Sequence, residues 1–144
     1  MIAESRIKLF LVDDDAVFLK LMEIELLQNL EFDVETYSSG ELCMASIGHN
    51  PDIIILDYNL DGMDKNAMNG IETLNKIKAY NRDIQVVMLS SQNNIDVAID
   101  SVHQRAVEYV VKSNTSFLRI EKIIAAILNF KKMEKGLNWY VERV

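Results

Sequence analysis

The chain of 144 residues has one cysteine, one proline and five glycines, and its charged residues are not biased toward the basic. A single cysteine, Cys43, excludes an internal disulfide and reads as a small buried hydrophobe. No apolar run is long enough to cross a bilayer. The N-terminus also lacks an apolar segment followed by a small-residue cleavage site. A cytoplasmic location without membrane contact is therefore expected. Lys and Arg number 15 against 22 Asp and Glu, a net charge of −7. That balance argues against direct nucleic-acid binding and favours basic or cationic partners. No repeat, low-complexity tract or Gly/Ser linker interrupts the chain, and Pro51 stands just before a strand-like run, where it breaks nothing.

Apolar residues make up 49% of the chain, enough to build the core of one domain. Five short Ile- and Val-rich runs recur at residues 7–12, 32–37, 52–57, 83–89 and 106–111, and most are apolar on both faces. That pattern fits buried parallel strands. Between them, Val17, Leu21, Ile24 and Leu27 recur at helical spacing, as do Ile71, Leu74, Ile77 and Lys78, and Ile95, Ala98, Ile99 and Val102. Each set predicts the apolar face of a helix. Phe117, Ile120, Ile123, Ile124, Ile127 and Leu128 mark a last amphipathic helix. Alternating strands and helices predict a doubly wound α/β sheet with helices on both faces. Right-handed crossovers then bring every strand's C-terminal end to one edge.

The chemistry is at those ends. The first strand ends in Asp13 and Asp14, the third in Asp57, the fourth in Ser90 and Ser91, and the fifth in Lys112. Ligands of open α/β sheets bind at this edge. Each residue has an ordinary explanation on its own, and Asp15 reads as the N-cap of the first helix. Together, clustered carboxylates raise one another's pKa unless a cation sits among them. A hard divalent cation with oxygen ligands, Mg²⁺ above all, relieves that repulsion and usually comes with a phosphate. A carboxylate can attack phosphorus, while a Lys and a hydroxyl bind the transferring oxygens.

The segments "LFLVDDDAVFL", "PDIIILDYNL", "NGIETL", "VVMLSSQNNIDVAI" and "AVEYVVK" resemble the receiver domain of two-component response regulators. The likeness runs from about Lys8 to the end of the fifth helix. It implies a flavodoxin-like strand order, 2-1-3-4-5. It makes Asp57 the phosphoacceptor, with Asp13, Asp14, Asp57 and the backbone carbonyl of Asn59 holding Mg²⁺. Lys112 would pair with the phosphoryl group, Ser90 would be the switch hydroxyl, and Tyr109 the aromatic that moves with it. Asn59 and Gln92 would tune the phosphoryl lifetime. The implied partner is a sensor histidine kinase or a histidine phosphotransfer protein, and the chain would catalyse only its own phosphorylation and dephosphorylation. Such a chain either signals by protein contact alone or is part of a longer regulator.

Three features depart from the family pattern. Asp61 replaces the usual proline, residues 61–70 hold an insertion of roughly five residues, and Ser113 replaces the proline after the lysine. Two other readings use the same residues. Asp13, Asp15 and Val17 fit the opening motif of haloacid-dehalogenase-type phosphohydrolases, but no later acidic motif follows Lys112 and Asp57 is left without a role. A flavodoxin-like phosphate loop would be repelled by three aspartates. A receiver-like module that signals without phosphorylation would be expected to have lost one of the acidic or basic residues, and none is lost.

His49 reads as solvated and His103 sits late in the fourth helix, so the two lone histidines do not read as a metal site; the methionines read as core filler, with Met63 and Met68 in the insertion as candidate contacts. The domain is expected to span residues 1–130, with 131–144 extending the fifth helix. There, Ile123, Ala126, Phe130, Met133, Leu137, Tyr140 and Val144 alternate at spacings of three and four, an apolar heptad seam. Residues 131–144 carry a net charge of +2 on a chain of −7. A homodimer or a partner helix is expected to use this seam.

Overall fold

The computed structural model describes residues 6–62, 64–91 and 95–143, with side chains up to Glu134. Five strands alternate with helices: β1 (Ile7–Val12), α1 (Ala16–Leu27), β2 (Phe32–Tyr37), α2 (Gly40–Ala45), β3 (Ile53–Asp57), α3 (Gly70–Tyr80), β4 (Gln85–Ser90), α4 (Ile95–His103), β5 (Glu108–Val111) and α5 (Ser116–Arg143). All pairings are parallel, in the order β2-β1-β3-β4-β5. This is the flavodoxin-like order that the resemblance implied.

Side chains alternate across the three central strands, as a pleated strand requires. Leu9, Leu11, Ile53, Ile55, Val87 and Leu89 face Met22 and Leu26 of α1 and Ile120, Ile124 and Ile127 of α5. Phe10, Val12, Ile54, Leu56, Val86 and Met88 face Cys43 of α2 and Leu74 and Ile77 of α3. Both faces are thus covered, which explains why these runs are apolar at consecutive positions.

Two helices turn differently from the expected faces. Val17 is 70% exposed, and Leu21, Ile24 and Leu27 are exposed as well, whereas Met22 and Leu26 are buried with Phe18 and Leu19 packed beside them. The helix reads AVFLKLMEIELL, apolar almost all round. Spacing alone cannot choose between two such faces, and the one carrying Phe and Met packs on the sheet. In α4 three residues of the expected face, Ile95, Ile99 and Val102, are also exposed and Ala98 is half-buried, while Ser101 is the buried residue. The Ser101 hydroxyl donates to the Val97 carbonyl one turn back, at 2.8 Å, so a small polar residue satisfied within its own helix takes the close approach. α2 is six residues long, too short for periodicity to reveal; Ser39 caps it through the Leu42 N–H.

α3 and α5 pack as expected, with Leu74, Ile77 and Lys78 buried in one and Ile120, Ile124 and Ile127 in the other. Lys78 donates to the carbonyls of Ile84 and Arg82, which compensates for its burial. α5 continues without a break through Gly136 to Arg143, 28 residues in all.

Candidate functional site

β1 and β3 are neighbours, and both end at the same edge. Asp13 follows the last residue of β1, and its N–H donates to the Tyr37 carbonyl of β2 at 3.1 Å. Asp57 is the last residue of β3 and pairs in register with Leu89 of β4. Asp13, Asp14 and Asp57 each place a carboxylate oxygen within 4.8 Å of the other two. Lys112, just past β5, puts Nζ 2.8 Å from Asp13 Oδ2 and 3.7 Å from Asp57 Oδ1. The Lys112 N–H donates to the Ser90 carbonyl at 2.7 Å, which ties the lysine to the end of β4. Ser90 itself is fully buried at this edge. Tyr109 lies half-buried in β5, against the cluster built on Phe10 and Met88. Gln92 and Met63 lie outside the described residues.

Local turns fix the carboxylates. Asp13 Oδ1 accepts from the Asp15 N–H at 2.9 Å, and Asp57 Oδ1 accepts from the Asn59 N–H at 3.3 Å. Asp15 accepts from the N–H groups of Val17 and Phe18, both at 3.1 Å, and so is the N-cap of α1, as expected. The start of α3 comes very close to the end of β3. A Cβ on Gly70 would lie 2.6 Å from both the Asp57 carbonyl oxygen and the Tyr58 Cα, so only glycine fits. The Gly70 N–H donates to the Tyr58 carbonyl at 3.0 Å.

Hydrogen bonds within the segment and to α2 hold the described part of the insertion. Asp64 caps a turn through the Asn66 N–H, Glu41 of α2 accepts from the Met68 N–H at 2.9 Å, and Asn69 caps α3. Leu60, just before it, is buried, and Asp61 is half-buried. Gly62 leaves a gap beside the cluster: a Cβ there would sit 3.5 Å from Asp14 Oδ2 and 3.7 Å from the Asn59 carbonyl oxygen. The Lys112–Ser113 bond is trans. The turn after it is closed by the Ser113 N–H to Ser116 Oγ, at 2.6 Å.

Negative charge outweighs positive at the site, where three carboxylates meet the Lys112 ammonium. Burial first, then the charge of Asp13, pushes the Asp57 carboxyl from 3.8 up to about 7; Asp14 adds to the rise, while Lys112 and the Asn59 N–H oppose it. Burial and the charge of Asp13 also raise Asp14. For Lys112, burial pulls down, but its contact with Asp13 and the charges of Asp57, Asp13 and Asp15 outweigh it and hold the ammonium charged. One lysine thus faces three carboxylates. Asp13 Oδ2 is buried, with the Lys112 ammonium 2.8 Å away. The donors are hard oxygens, and the open side at Gly62 adjoins Asp14 and the Asn59 carbonyl. The residues present therefore fit a hard divalent cation.

Two neighbours of the site were not evident from the sequence. Phe18, in the first turn of α1, places its ring centroid 4.4 Å from Lys112 Nζ and stacks on Phe117 of α5, with centroids 5.7 Å apart and 23° between the planes. Gly62 had no signal beyond being a glycine in a loop.

This sheet order, with carboxylates on the first and third strand ends and a lysine after the fifth, defines a receiver-type α/β fold. The sequence pattern of the family described as "Response regulator receiver domain" matches residues 9–127. The chain belongs to that family, a signalling domain of two-component systems. It is 27% identical over 104 residues to the chemotaxis protein CheY of Bacillus subtilis (strain 168), covering 71% of this chain and 82% of CheY. It is 25% identical over 131 residues to the transcriptional regulatory protein MalR of the same organism, covering 90% of this chain and 52% of MalR. Against the transcriptional regulatory protein ZraR of Klebsiella oxytoca, it spans only 23% of that protein's length. Among solved structures, the signal receiver domain of a Luxo repressor protein from Vibrio parahaemolyticus superposes with a TM-score of 0.79 at 21% identity, covering 92% of this chain and 97% of that one. The Mn(2+)-bound form of the response regulator Rcp1 superposes with a TM-score of 0.68 at 25% identity, covering 81% and 90%. No helix among the described residues is long and apolar enough to cross a membrane.

Proposed function

We propose that this chain is a phospho-accepting receiver in which Asp57 takes a phosphoryl group from a phosphohistidine on a partner kinase or phosphotransfer protein. The observation that carries the reading is the convergence of Asp13, Asp14 and Asp57 within 4.8 Å beside the Lys112 ammonium. An Asp57 carboxylate oxygen forms the new P–O bond as the P–N bond breaks, and the released imidazole takes up a proton. Water later attacks the acyl phosphate, which returns the carboxylate and releases inorganic phosphate. Lys112 Nζ neutralises charge on the phosphoryl oxygens, and the Ser90 hydroxyl bonds one of them. Asp13, Asp14, Asp57 and the Asn59 carbonyl would hold Mg²⁺, which would supply charge stabilisation to the transferring group. A divalent ion in the related Rcp1 supports this assignment. Asn59 sets the lifetime of the phosphoryl group together with Gln92, which lies outside the described residues.

Phosphorylation draws Ser90 toward the phosphoryl group, and Tyr109 follows into the vacated space, biasing the surface of α4, β5 and α5 between two states. The apolar face of α4 is already exposed there. The C-terminal part of α5 offers a second contact: Phe130 and Met133 are 62% and 72% exposed on the heptad seam, and a second copy packs along it.

Acetyl phosphate with Mg²⁺ tests the chemistry. Intact mass spectrometry is expected to show one added phosphoryl group, which Asp57→Asn abolishes. Full labelling of that variant would reject the assignment.

A further inference from the structure

Among the described residues Lys112 is the one lysine at the cluster, and it must serve three carboxylates from a flexible four-carbon stem. Such a stem lets an ammonium settle against whichever oxygen attracts it most. Its position is narrowed here by an aromatic wall. Nζ lies 4.4 Å from the Phe18 ring centroid while contacting Asp13 at 2.8 Å and Asp57 at 3.7 Å. The ring is itself held in place. Its backbone N–H is fixed by the Asp15 cap at 3.1 Å, and the ring is stacked on Phe117 from the first turn of α5. The lysine is anchored at its other end, where its N–H donates to the Ser90 carbonyl and the following turn is closed by Ser113 and Ser116. The stem is therefore fixed at its backbone and at its charged tip.

We infer that Phe18 is the positioning residue for Lys112: its π face holds the ammonium between Asp13 and Asp57, where the phosphoryl oxygens carry charge during transfer. A cation over a ring face is attracted by the ring quadrupole, more strongly when partly desolvated, and a leucine of similar bulk offers no such face. The contact of Phe18 with the site's charged groups is the one to Lys112, so its effect is argued to run through that lysine. The kinetic part of this inference rests on Asp57 being the phosphoacceptor; the structural part does not.

The test has two arms on the whole chain, with Phe18→Leu and Phe18→Tyr. In the first, with no phosphodonor present, proton NMR reads the ε-methylene resonance of Lys112, which the ring current of Phe18 shifts upfield. The shift is expected to vanish in Phe18→Leu and to persist in Phe18→Tyr. In the second, labelling by acetyl phosphate at saturating Mg²⁺ is expected to slow about tenfold in Phe18→Leu. Phe18→Tyr is expected to restore it, while Mg²⁺ affinity stays the same in all three proteins. A ring that merely fills space would leave the leucine variant, which keeps the apolar bulk, labelling at the original rate, and that result overturns the inference. An unshifted Lys112 resonance in the parent protein overturns it as well. Absence of labelling in the parent protein would instead overturn the proposed function, and the resonance arm would still decide for Phe18.

Discussion

Asp57→Asn should make the protein more stable, although it removes the central reactive group. Asp57 is only 2% exposed, and its carboxyl is pushed from 3.8 to about 7 by burial and by the charge of Asp13. In the unfolded chain the group ionises near its ordinary value. Between the two values the folded state binds the extra proton, so stability falls as pH rises from about 4 to about 7. At about 1.4 kcal/mol for each tenfold change, a displacement of this size has a ceiling of about 4 kcal/mol. Water entering the strand ends and an effective dielectric constant of about 20 reduce it to about 2 kcal/mol. Urea melts in the presence of a chelator measure this directly. The Asn variant is expected to gain about 2 kcal/mol over the parent at pH 8, and the gain is expected to shrink to nearly nothing by about pH 4. A variant less stable than the parent at pH 8, or a gain that does not change with pH, would refute the reasoning. Added Mg²⁺ is expected to stabilise the parent more than the variant, because it relieves the same repulsion.

Gly70→Ala forces a Cβ to within 2.6 Å of the Asp57 carbonyl and the Tyr58 Cα, so it is expected to cost about 1–3 kcal/mol in a urea melt and to slow labelling by moving Asp57. Asp14→Asn is expected to weaken Mg²⁺ binding by calorimetry far more than Asp15→Asn. Asp15→Ala, which removes the α1 cap that asparagine would preserve, is expected to cost about 1 kcal/mol of stability in a urea melt. Crystal structures with and without a beryllofluoride phosphoryl mimic are expected to differ in the Tyr109 rotamer and the position of α4; identical structures would count against the switch. Sedimentation is expected to show self-association of the full chain that is lost on cutting after Lys132; monomers in both cases would reject packing along the α5 seam.

The three central strands were legible in the sequence because burial on both faces writes them as nearly unbroken apolar runs, and β1 and the edge strand β2 have the expected bounds. The residues on their C-terminal ends were legible for the same reason: a run such as LFLV or IIIL can end in Asp13 or Asp57 only where the sheet does. The outward faces of α1 and α4 were not. Apolar residues recur on more than one face of each helix, so Val17, Leu21, Ile24 and Leu27 look as core-like as Met22 and Leu26. Docking against the sheet, not helical spacing, decides which set is buried. α2 was hidden by its six-residue length. Phe18 was hidden for another reason: its value lies in a contact with Lys112, 94 positions away, and no local pattern marks such a pair. The departures at Asp61 and Ser113 did not disturb the cluster, because Asp13, Asp57 and Lys112 are each held by backbone hydrogen bonds to neighbouring strands or turns.

The most direct test of the account asks where a phosphoryl group lands. Borohydride reduces an aspartyl phosphate to homoserine, so treating the protein after incubation with acetyl phosphate and Mg²⁺, then mapping its peptides by mass, identifies the acceptor. The account predicts homoserine at position 57 alone, and none when Mg²⁺ is removed by chelation. Homoserine at Asp13 or Asp14, or an unmodified Asp57 under conditions that label the protein elsewhere, would contradict it.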